Sequence, residues 1–268
     1  MGGSYAMALS RLGYHVTAID TDPAAIDYAR SHGLIREGSS EVEEKLVSQA
    51  DTVIFGLYPK VFIQWIRDYQ HLFRSGIRIT DVTGVKGNVV DEIQSVLRPD
   101  VEYIAAHPMA GREISGVAAS DDRMFHEANY IVVPTAKNTP EAIEWCKDLG
   151  RILGFRRISV LSPDQHDEAI AFVSQLTHCI AVTLMACSEN RHLADYTGDS
   201  FRDLTRIARI NEVMWSELFL MNQEPLLSKM DLFMDRFKEL RDMVASGDME
   251  AMKERMRLST ERRAWFDR

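Results

Sequence analysis

The residues best suited to chemistry lie in one segment, His107 to Gly116, which directly follows a short apolar run. That run, Val101 to Ala106, is typical of a strand, so we expect His107 at the carboxyl end of a strand. Ligands of open α/β sheets bind at this edge, where loops present side chains to a crevice. A histidine there can change its charge near neutral pH, and Arg112 and Glu113 supply charges of both signs. From this segment alone, a catalytic histidine and an ordinary polar loop both stay open as interpretations.

The same segment resembles the HPxxGxExSG signature of the prephenate dehydrogenase family. Three further segments resemble that family in the same order, namely Asp164 to Asp167, Ser174 to His178, and Phe201 to Arg206. The resemblance covers nearly all of the 268 residues. It implies an enzyme that oxidatively decarboxylates prephenate on the way to tyrosine and passes a hydride to NAD.

The resemblance implies roles for four polar residues in handling the substrate. His107 would accept the proton of the ring 4-hydroxyl, and Arg206 would bind a carboxylate through its planar guanidinium. His178, in the middle of an uncharged helix, would donate to the side-chain carboxylate or keto group, and Glu113 would gate the cleft. From spacing alone, Arg206 could instead pair with Asp203 one turn earlier, and His178 could be an ordinary core histidine.

Residues 80–87 resemble the family's D-x-x-S-x-K loop, in which the serine helps to bind the ring hydroxyl and to orient the catalytic histidine. This sequence departs from the pattern, because Gly84 occupies the serine position and Thr83 precedes it. Either the Thr83 hydroxyl or a water replaces the serine, or the contact is lost. Lys86 opens the next helix and could equally be a solvated surface lysine.

Four more residues fall in or near the segments that resemble the family. Asp203 and Trp215 match positions that dimers of the family lend to the neighbouring active site. His166 and Asp167 begin a long helix, and we expect them to have a structural role only.

The first twenty residues are typical of the second half of a dinucleotide-binding βαβ unit. Gly2, followed by Gly3, takes the place of the third glycine of GxGxxG, and Asp20 lies eighteen residues after Gly2 at a strand end. Asp20 would bind the ribose hydroxyls and repel a 2′-phosphate, which selects NAD over NADP. The preceding strand and the first two glycines are absent, which predicts an apolar slot in the sheet. A start placed too late and a natural truncation are both open; we favour the first, because the downstream sequence looks intact.

The loop from Leu57 to Pro59 follows a predicted strand and resembles the family's loop beside the nicotinamide half of the cofactor. Leu57 and Pro59 are therefore candidate cofactor contacts. Pro59 could equally serve only to begin the next helix, a position that proline favours.

Strands and helices alternate up to Ser162, which predicts a doubly wound, mostly parallel Rossmann-type sheet. Two of its helices have clear start signals, Pro23 in one and Thr139 as a cap in the other. After Ser162 the periodicity is helical throughout. We therefore predict a dinucleotide-binding domain at 1–162 and an all-α dimerisation and substrate domain at 163–268.

Two apolar stretches of the helical half predict contacts between subunits. Ala169 to Ser188 has no charged side chain but carries polar residues in its middle. It predicts a helix buried on nearly all faces at a homodimer interface, rather than a membrane span. An apolar stripe from Met230 to Val244, at three- and four-residue intervals, predicts a core or dimer contact.

Charge and cysteine content exclude several classes of partner. The formal net charge is −9, so there is no basic surface for nucleic acid or for an anionic membrane. The three cysteines are an odd number without CxxC or histidine spacing, which argues against a disulfide framework and against a zinc site, and we expect no bound metal. A reducing cytoplasm fits best, and no secretory signal is visible at the amino terminus.

Three other functions stay open. Arogenate carries an amino group where prephenate has a keto group, and nothing in the sequence distinguishes the two. A non-catalytic dimeric protein that keeps the pocket but has lost the cofactor would explain the absent glycines. Another Rossmann oxidoreductase with a helical tail, such as a 3-hydroxyacid dehydrogenase, would need a catalytic lysine on the helical domain, and that lysine has no obvious counterpart.

Overall fold

The computed structural model describes residues 1–111 and 114–267. The strands in these residues are β1 (Thr17–Ile19), β2 (Glu37–Ser39), β3 (Thr52–Phe55), β4 (Arg78–Asp81), β5 (Glu102–Tyr103), β6 (Ala105–Pro108), β7 (Asn129–Val133) and β8 (Arg157–Val160). The α-helices are α1 (Gly2–Arg11), α2 (Pro23–Ser31), α3 (Glu44–Ser48), α4 (Pro59–Tyr69), α5 (Gly87–Val96), α6 (Pro140–Ile152), α7 (Pro163–Ile170), α8 (Thr177–Ala186), α9 (Asp199–Thr205), α10 (Glu212–Met221), α11 (Gln223–Ser246) and α12 (Met249–Arg263). A π-helical stretch, Ala171–Leu176, joins α7 to α8.

The strands fall into three hydrogen-bonded groups: β1 with β2, β3 with β4 and β5, and β6 with β7 and β8. Every pair is parallel except β6 with β7. Helices α4 and α5 cover the β3–β4–β5 group through fully buried side chains such as Phe62, Ile66 and Ile93. The prediction of a mostly parallel Rossmann-type sheet followed by helices is confirmed.

The parallel order is interrupted between β1 and β3. In the described ranges, 1–111 and 114–267, no backbone ladder joins these two strands. Gly2, the first residue of α1, lies against Gly56 just after β3, where an added Cβ would be 3.4 Å from the Gly2 Cα atom. The amino end of α1 therefore meets the carboxyl end of β3. The predicted apolar slot in the sheet falls at this interruption and stays a prediction.

The single strand predicted from Val101 to Ala106 is divided at Ile104 into β5 and β6. β5 pairs in parallel with β4, while β6 runs antiparallel to β7 and pairs His107 with Ile131. The strand divides here because the Ala106 N–H donates to the Asp81 side chain at 3.2 Å and not to a β4 carbonyl. His107 is the second-to-last residue of β6, so the prediction that it lies at the carboxyl end of a strand is confirmed.

The uncharged stretch that begins at Ala169 belongs to a longer helix, Pro163–Ala186, which runs through α7, the π-helical stretch and α8. One face is buried, whereas Phe172, Val173 and Met185 on the other are about half exposed. Only 28% of its most apolar window is buried within the single chain, so its burial on nearly all faces at a homodimer interface stays a prediction. By length and composition this helix could also cross a membrane, which is weak evidence by itself.

The chain divides into two compact units, Met1–Asn222 and Gln223–Arg268. The candidate site residues all belong to the first unit. In the second, the predicted apolar stripe on α11 is exposed, with 56% of Met234 and 61% of Phe237 accessible. The stripe is therefore not a core of the single chain, and its role in dimer contact stays a prediction. The domain boundary after residue 162 also stays a prediction.

Candidate active site

His107 is held from one side of its ring. Its Nδ1 atom is 2.8 Å from Nε2 of His166, and within the described part of the chain no hydrogen bond reaches its own Nε2. The residue is partly exposed, so a ligand can approach Nε2. Burial, and then the neighbouring His166 and Lys86, hold the pKa of His107 well below its ordinary value. The ring is therefore neutral at pH 7 and can accept a proton.

His166 and Asp167 directly follow the first three residues of α7, whose start is fixed by a capping box. The Ser162 side chain accepts from the Gln165 N–H, and the Gln165 side chain accepts from the Ser162 N–H. This start directs His166 and Asp167 inward, and both are buried. Nδ1 of His166 is 2.7 Å from Oδ1 of Asp167. His107, His166 and Asp167 thus form one hydrogen-bonded chain, which we call the histidine chain.

The Asp167 carboxylate is held at the amino end of α5. Its Oδ1 accepts from the Lys86 N–H at 2.9 Å, and its Oδ2 accepts from the Gly87 N–H at 2.8 Å. Gly87 allows this approach, since an added Cβ would lie 3.1 Å from Oδ2. The partial positive charge of a helix amino end favours a carboxylate at this place. The side-chain amide of Asn222 donates to the main-chain carbonyl oxygen of Asp167 at 2.9 Å.

A fully buried ion pair of Lys86 and Asp81 lies close to the histidine chain, with Nζ 2.6 Å from Oδ2. The other oxygen of Asp81 accepts from the Tyr103 hydroxyl at 3.0 Å. Lys86 is therefore not a solvated surface lysine. Burial lowers its pKa, and the adjacent Asp81 carboxylate opposes that change.

Thr83 faces this ion pair rather than the ring of His107. Its hydroxyl accepts from Lys86 Nζ at 3.1 Å and donates to Asp81 or to the Val85 carbonyl oxygen. These buried contacts engage the hydroxyl hydrogen and leave none for a substrate. The structure thus gives no support to Thr83 as the replacement for the family serine.

Position 84, not position 83, faces the ring of His107. A Cβ added to Gly84 would lie 4.0 Å from Cε1 of His107 and 3.4 Å from Cδ1 of Leu218 on α10. One turn earlier on α10, Trp215 packs against His178 with ring centroids 3.7 Å apart. Leu218 and Trp215, on neighbouring turns of α10, therefore lie close to the surroundings of His107 and of His178 respectively.

His178 is oriented by its own helix. Its Nδ1 is 2.9 Å from the Ser174 carbonyl oxygen, and because a carbonyl only accepts, Nδ1 carries a hydrogen. Nε2 can then donate to a carboxylate only when the ring is protonated. Trp215 packs on the His178 ring of its own chain, whereas the resemblance assigned it to the neighbouring active site.

Arg206 begins a short 3-10 turn, Arg206–Ala208, that packs against α8, the helix of His178. Arg206 is exposed, as is Asp203 on the preceding α9. The structure therefore brings the Arg206 segment to the His178 helix, and its convergence with His107 on one substrate stays a prediction. Glu113, the predicted gate, lies outside the described residues.

The candidate nucleotide-binding residues lie at the amino end of α1 and after β1. Apart from its chain neighbours and its own helix backbone, no heavy atom of residues 1–111 and 114–267 lies within 4 Å of a Cβ added to Gly2, so that side of the first turn is open to a ligand. Gly3 has a packing role, since its Cβ would be 2.1 Å from Oγ of Ser120. Asp20 is exposed, and its Oδ1 accepts from the Asp22 N–H at 3.0 Å. A helix amino end for phosphates and a carboxylate for hydroxyls suit a dinucleotide.

The loop before α4 meets α10 through one side chain. Pro59 is buried as the first residue of α4, and Leu57 packs partly buried against the main apolar cluster. Tyr58 is exposed, and its hydroxyl oxygen accepts from Asn211, the N-cap of α10, at 3.1 Å. The side chain that reaches the helical segment is therefore that of Tyr58 rather than those of Leu57 and Pro59.

Known proteins resemble this chain along almost its whole length. Residues 5–159 match the nucleotide-binding domain of prephenate dehydrogenase, and residues 162–258 match its dimerisation domain. The chain belongs to the prephenate dehydrogenase family. The resemblance stated from the sequence is thereby confirmed.

The relatives are similar in sequence and in fold. The prephenate dehydrogenase of Bacillus subtilis (strain 168) is 30% identical over 261 residues, which span 93% of this chain and 69% of the relative. A cyclohexadienyl dehydrogenase of Zymomonas mobilis is 27% identical over 254 residues, spanning 92% and 86%. The prephenate dehydrogenase of A. aeolicus in complex with hydroxyphenyl propionate and NAD+ has a TM-score of 0.91 at 27% identity, covering 100% of this chain and 95% of that one.

In this member of the prephenate dehydrogenase family, sequence reasoning expected His166 and Asp167 to be structural and did not predict their hydrogen-bonded contact with His107. The structure places both directly behind His107. A usable signal was present, since the two residues follow a capping serine at the start of a helix in a segment that resembles the family. Nothing in the segment itself indicated that its partner would be a histidine 59 residues away.

Proposed function

We propose that this chain is an NAD-dependent prephenate dehydrogenase of tyrosine biosynthesis, a cytoplasmic homodimer that converts prephenate to 4-hydroxyphenylpyruvate and carbon dioxide. The state of His107 carries the proposal: the ring is neutral, partly exposed and hydrogen-bonded through Nδ1, so that Nε2 can accept a proton. A base held in this way suits removal of a hydroxyl proton while a hydride leaves the same carbon.

The reaction asks the protein for orientation and for one proton acceptor. Nε2 of His107 takes the proton of the ring 4-hydroxyl, the electron pair of the C4–H bond leaves as hydride, and a C4=O bond forms. The bond to the ring carboxylate then breaks and carbon dioxide leaves, while its electron pair makes the ring aromatic and returns charge to the 4-oxygen. His107 gives its proton back to that oxygen, so the protein gains and loses no proton overall.

The cofactor would be held by residues beside the interruption between β1 and β3. NAD, when bound, supplies the hydride acceptor. The open first turn of α1 at Gly2 would bind its pyrophosphate, and the exposed Asp20 carboxylate would bind its ribose hydroxyls. The 2′-phosphate of NADP would lie beside that carboxylate, so we infer a preference for NAD.

The homodimer is supported by two observations. Residues 162–258 match the family's dimerisation domain. Phe172, Val173 and Met185 leave an apolar face of the α7–α8 helix about half exposed in the single chain. Large exposed apolar side chains of this kind are typical of a surface that a partner covers.

Arogenate is the second candidate substrate, since one relative is a cyclohexadienyl dehydrogenase and a ring base acts alike on both compounds. The test measures reduced nicotinamide formed by the purified protein with NAD and either prephenate or arogenate. We expect the larger kcat/KM with prephenate. A larger value with arogenate would make arogenate the substrate. Binding of prephenate with neither NAD binding nor turnover would favour the non-catalytic protein that has lost the cofactor.

Replacing Arg206 with glutamine is expected to raise the KM for prephenate about 10- to 100-fold, because a charge-assisted hydrogen bond contributes roughly 1.5–3 kcal/mol. The kcat value should change much less, since the guanidinium would bind the carboxylate before and during the reaction alike. Steady-state kinetics of Arg206→Gln beside Arg209→Gln, an exposed arginine of the same segment, provide the measurement. An unchanged KM for Arg206→Gln would remove its assigned role.

Replacing Asp20 with asparagine is expected to reduce the preference for NAD over NADP roughly tenfold or more, because the charge that repels the 2′-phosphate is lost. The measurement compares kcat/KM for the two cofactors. Asp27→Asn is the matched control, since that carboxylate is exposed on the neighbouring α2. Equal cofactor preference in Asp20→Asn and in the parent protein would argue against Asp20 as the ribose ligand.

A further inference from the structure

The end of the histidine chain at Asp167 fixes the direction of each hydrogen bond in it. A carboxylate only accepts, so Nδ1 of His166, 2.7 Å from Asp167 Oδ1, carries a hydrogen. His166 is fully buried, and burial lowers its pKa although Asp167 opposes the change, so the ring is neutral at pH 7. A neutral ring with its hydrogen on Nδ1 has a lone pair on Nε2. Nδ1 of His107, 2.8 Å from that lone pair, must then be the donor.

We propose that His166 and Asp167 are positioning residues that hold His107 in the tautomer with hydrogen on Nδ1, leaving a lone pair on Nε2 for the substrate hydroxyl. Free histidine in water favours the other tautomer, which would present a donor where the reaction needs an acceptor. The catalytic consequence rests on the proposed function, whereas the tautomer does not. When His107 becomes charged by taking up the proton, its bond to His166 becomes charge-assisted and stronger.

The histidine chain orients the base and does not export its proton. His166 has no exposed surface, and both oxygens of Asp167 accept from backbone N–H groups of Lys86 and Gly87. The proposed reaction returns the proton to the oxygen that released it, so no exit to solvent is needed. Stabilising a transient positive charge on His107 is sufficient.

The charged groups around the histidine chain favour the same arrangement. Lys86 adds positive charge near both rings, and its partner Asp81 offsets part of it. A protonated His166 would reverse the chain, since it would donate from Nε2 to Nδ1 of His107 and place the remaining hydrogen on Nε2 of His107. The two arrangements therefore predict different tautomers of one ring.

The tautomer of His107 can be measured by NMR on protein labelled with ¹⁵N at histidine, because the nitrogen shift differs between a protonated nitrogen and one with a lone pair. The His107→Asn variant identifies the resonances by their loss. At neutral pH we expect hydrogen on Nδ1 and a lone pair on Nε2. Hydrogen on Nε2 would overturn the proposal.

Two substitutions of His166 separate hydrogen bonding from packing. His166→Gln keeps an acceptor for His107 and a donor for Asp167, whereas His166→Leu fills a similar volume and keeps neither. We expect kcat for prephenate to fall about 10- to 100-fold in His166→Leu, with KM changed less, and to stay within about threefold of the parent in His166→Gln. Equal losses in the two variants, or an unchanged tautomer and kcat in His166→Leu, would contradict the proposal.

The outcomes distinguish this inference from the proposed function. If His166→Leu does not fold, the tautomer of His107 in the parent protein and the kcat of His166→Gln still test the proposal. Hydrogen on Nδ1 of His107 without turnover of prephenate or arogenate would contradict the proposed function but not the orientation of His107 by His166. Turnover with hydrogen on Nε2 of His107 would contradict the role of His166 but not the proposed function.

Discussion

Replacing His107 with asparagine is expected to lower kcat for prephenate oxidation by ~10²–10⁴-fold, the usual contribution of general-base catalysis. The amide nitrogen of asparagine lies about where Nδ1 of histidine lies, so the hydrogen bond to His166 can persist. The substitution therefore removes the acceptor at Nε2 and little else. The Kd for NAD should stay nearly unchanged, because the candidate cofactor ligands Gly2 and Asp20 lie on other elements.

The measurement is kcat from the formation of reduced nicotinamide, together with the Kd for NAD by titration of the same samples. His71→Asn is the control, since His71 is an exposed histidine in a 3-10 turn beyond α4, and it should match the parent protein. Parallel loss of turnover and of NAD affinity in His107→Asn would contradict the assignment of His107 as the base.

The pH profile supplies a second readout of the same group. Burial lowers the pKa of His107, so the neutral, active form persists at pH values where an ordinary histidine would already be protonated. The acidic limb of kcat/KM should therefore lie below pH 6.5, the ordinary histidine value. The same shift makes the folded protein less stable as pH falls below 6.5, because the unfolded chain takes up the proton more readily. An acidic limb at or above pH 6.5 would count against a buried neutral base.

Replacing Asp81 with asparagine is expected to lower the free energy of unfolding by about 3–5 kcal/mol, because it leaves the charge of Lys86 buried without its partner. Both side chains are fully buried, and Asp81 also accepts from the Tyr103 hydroxyl and the Ala106 N–H. The NH₂ group of an asparagine at position 81 would itself be a donor, and it would face groups that need an acceptor. A change of this size is a large part of the 5–15 kcal/mol typical of folded domains.

Urea unfolding of Asp81→Asn measures this loss, and its pH dependence identifies the cause. Lys86 without its partner should have a still lower pKa in the folded state, so the deficit should shrink as pH rises toward the ordinary lysine value. Asp51→Asn is the matched control, because Asp51 pairs with Arg74 at the surface and should contribute little. A deficit that is equal in the two variants would mean that burial of the ion pair is not the reason.

Local signals were enough to predict the helices of the sheet half. The helix predicted from Pro23 begins there, with the Asp22 side chain accepting from the Ala24 N–H. The helix predicted to be capped by Thr139 is α6, and the Thr139 hydroxyl accepts from the Ala142 N–H. Such signals act within one turn of a helix, so the sequence of that turn contains them completely.

The parts that could not be predicted depend on contacts distant in sequence. The predicted strand through Ile104 is divided because Ala106 donates to Asp81, 25 residues earlier. Lys86 is buried against the start of α7, where its N–H donates to Asp167, 81 residues later, and its neighbours in sequence do not reveal this contact. Family resemblance located the region of His107 without these contacts. It could not supply the histidine chain, since no residue near His107 in sequence takes part in it.

The most direct test of a base and a carboxylate-binding group acting on one ring is a crystal structure with NAD and 4-hydroxyphenylpyruvate bound. We expect the phenolic oxygen within about 2.6–3.2 Å of Nε2 of His107, with the side-chain carboxylate of the ligand at Arg206 or His178. A phenolic oxygen remote from His107, or an Arg206 side chain that shares no cleft with it, would contradict the account.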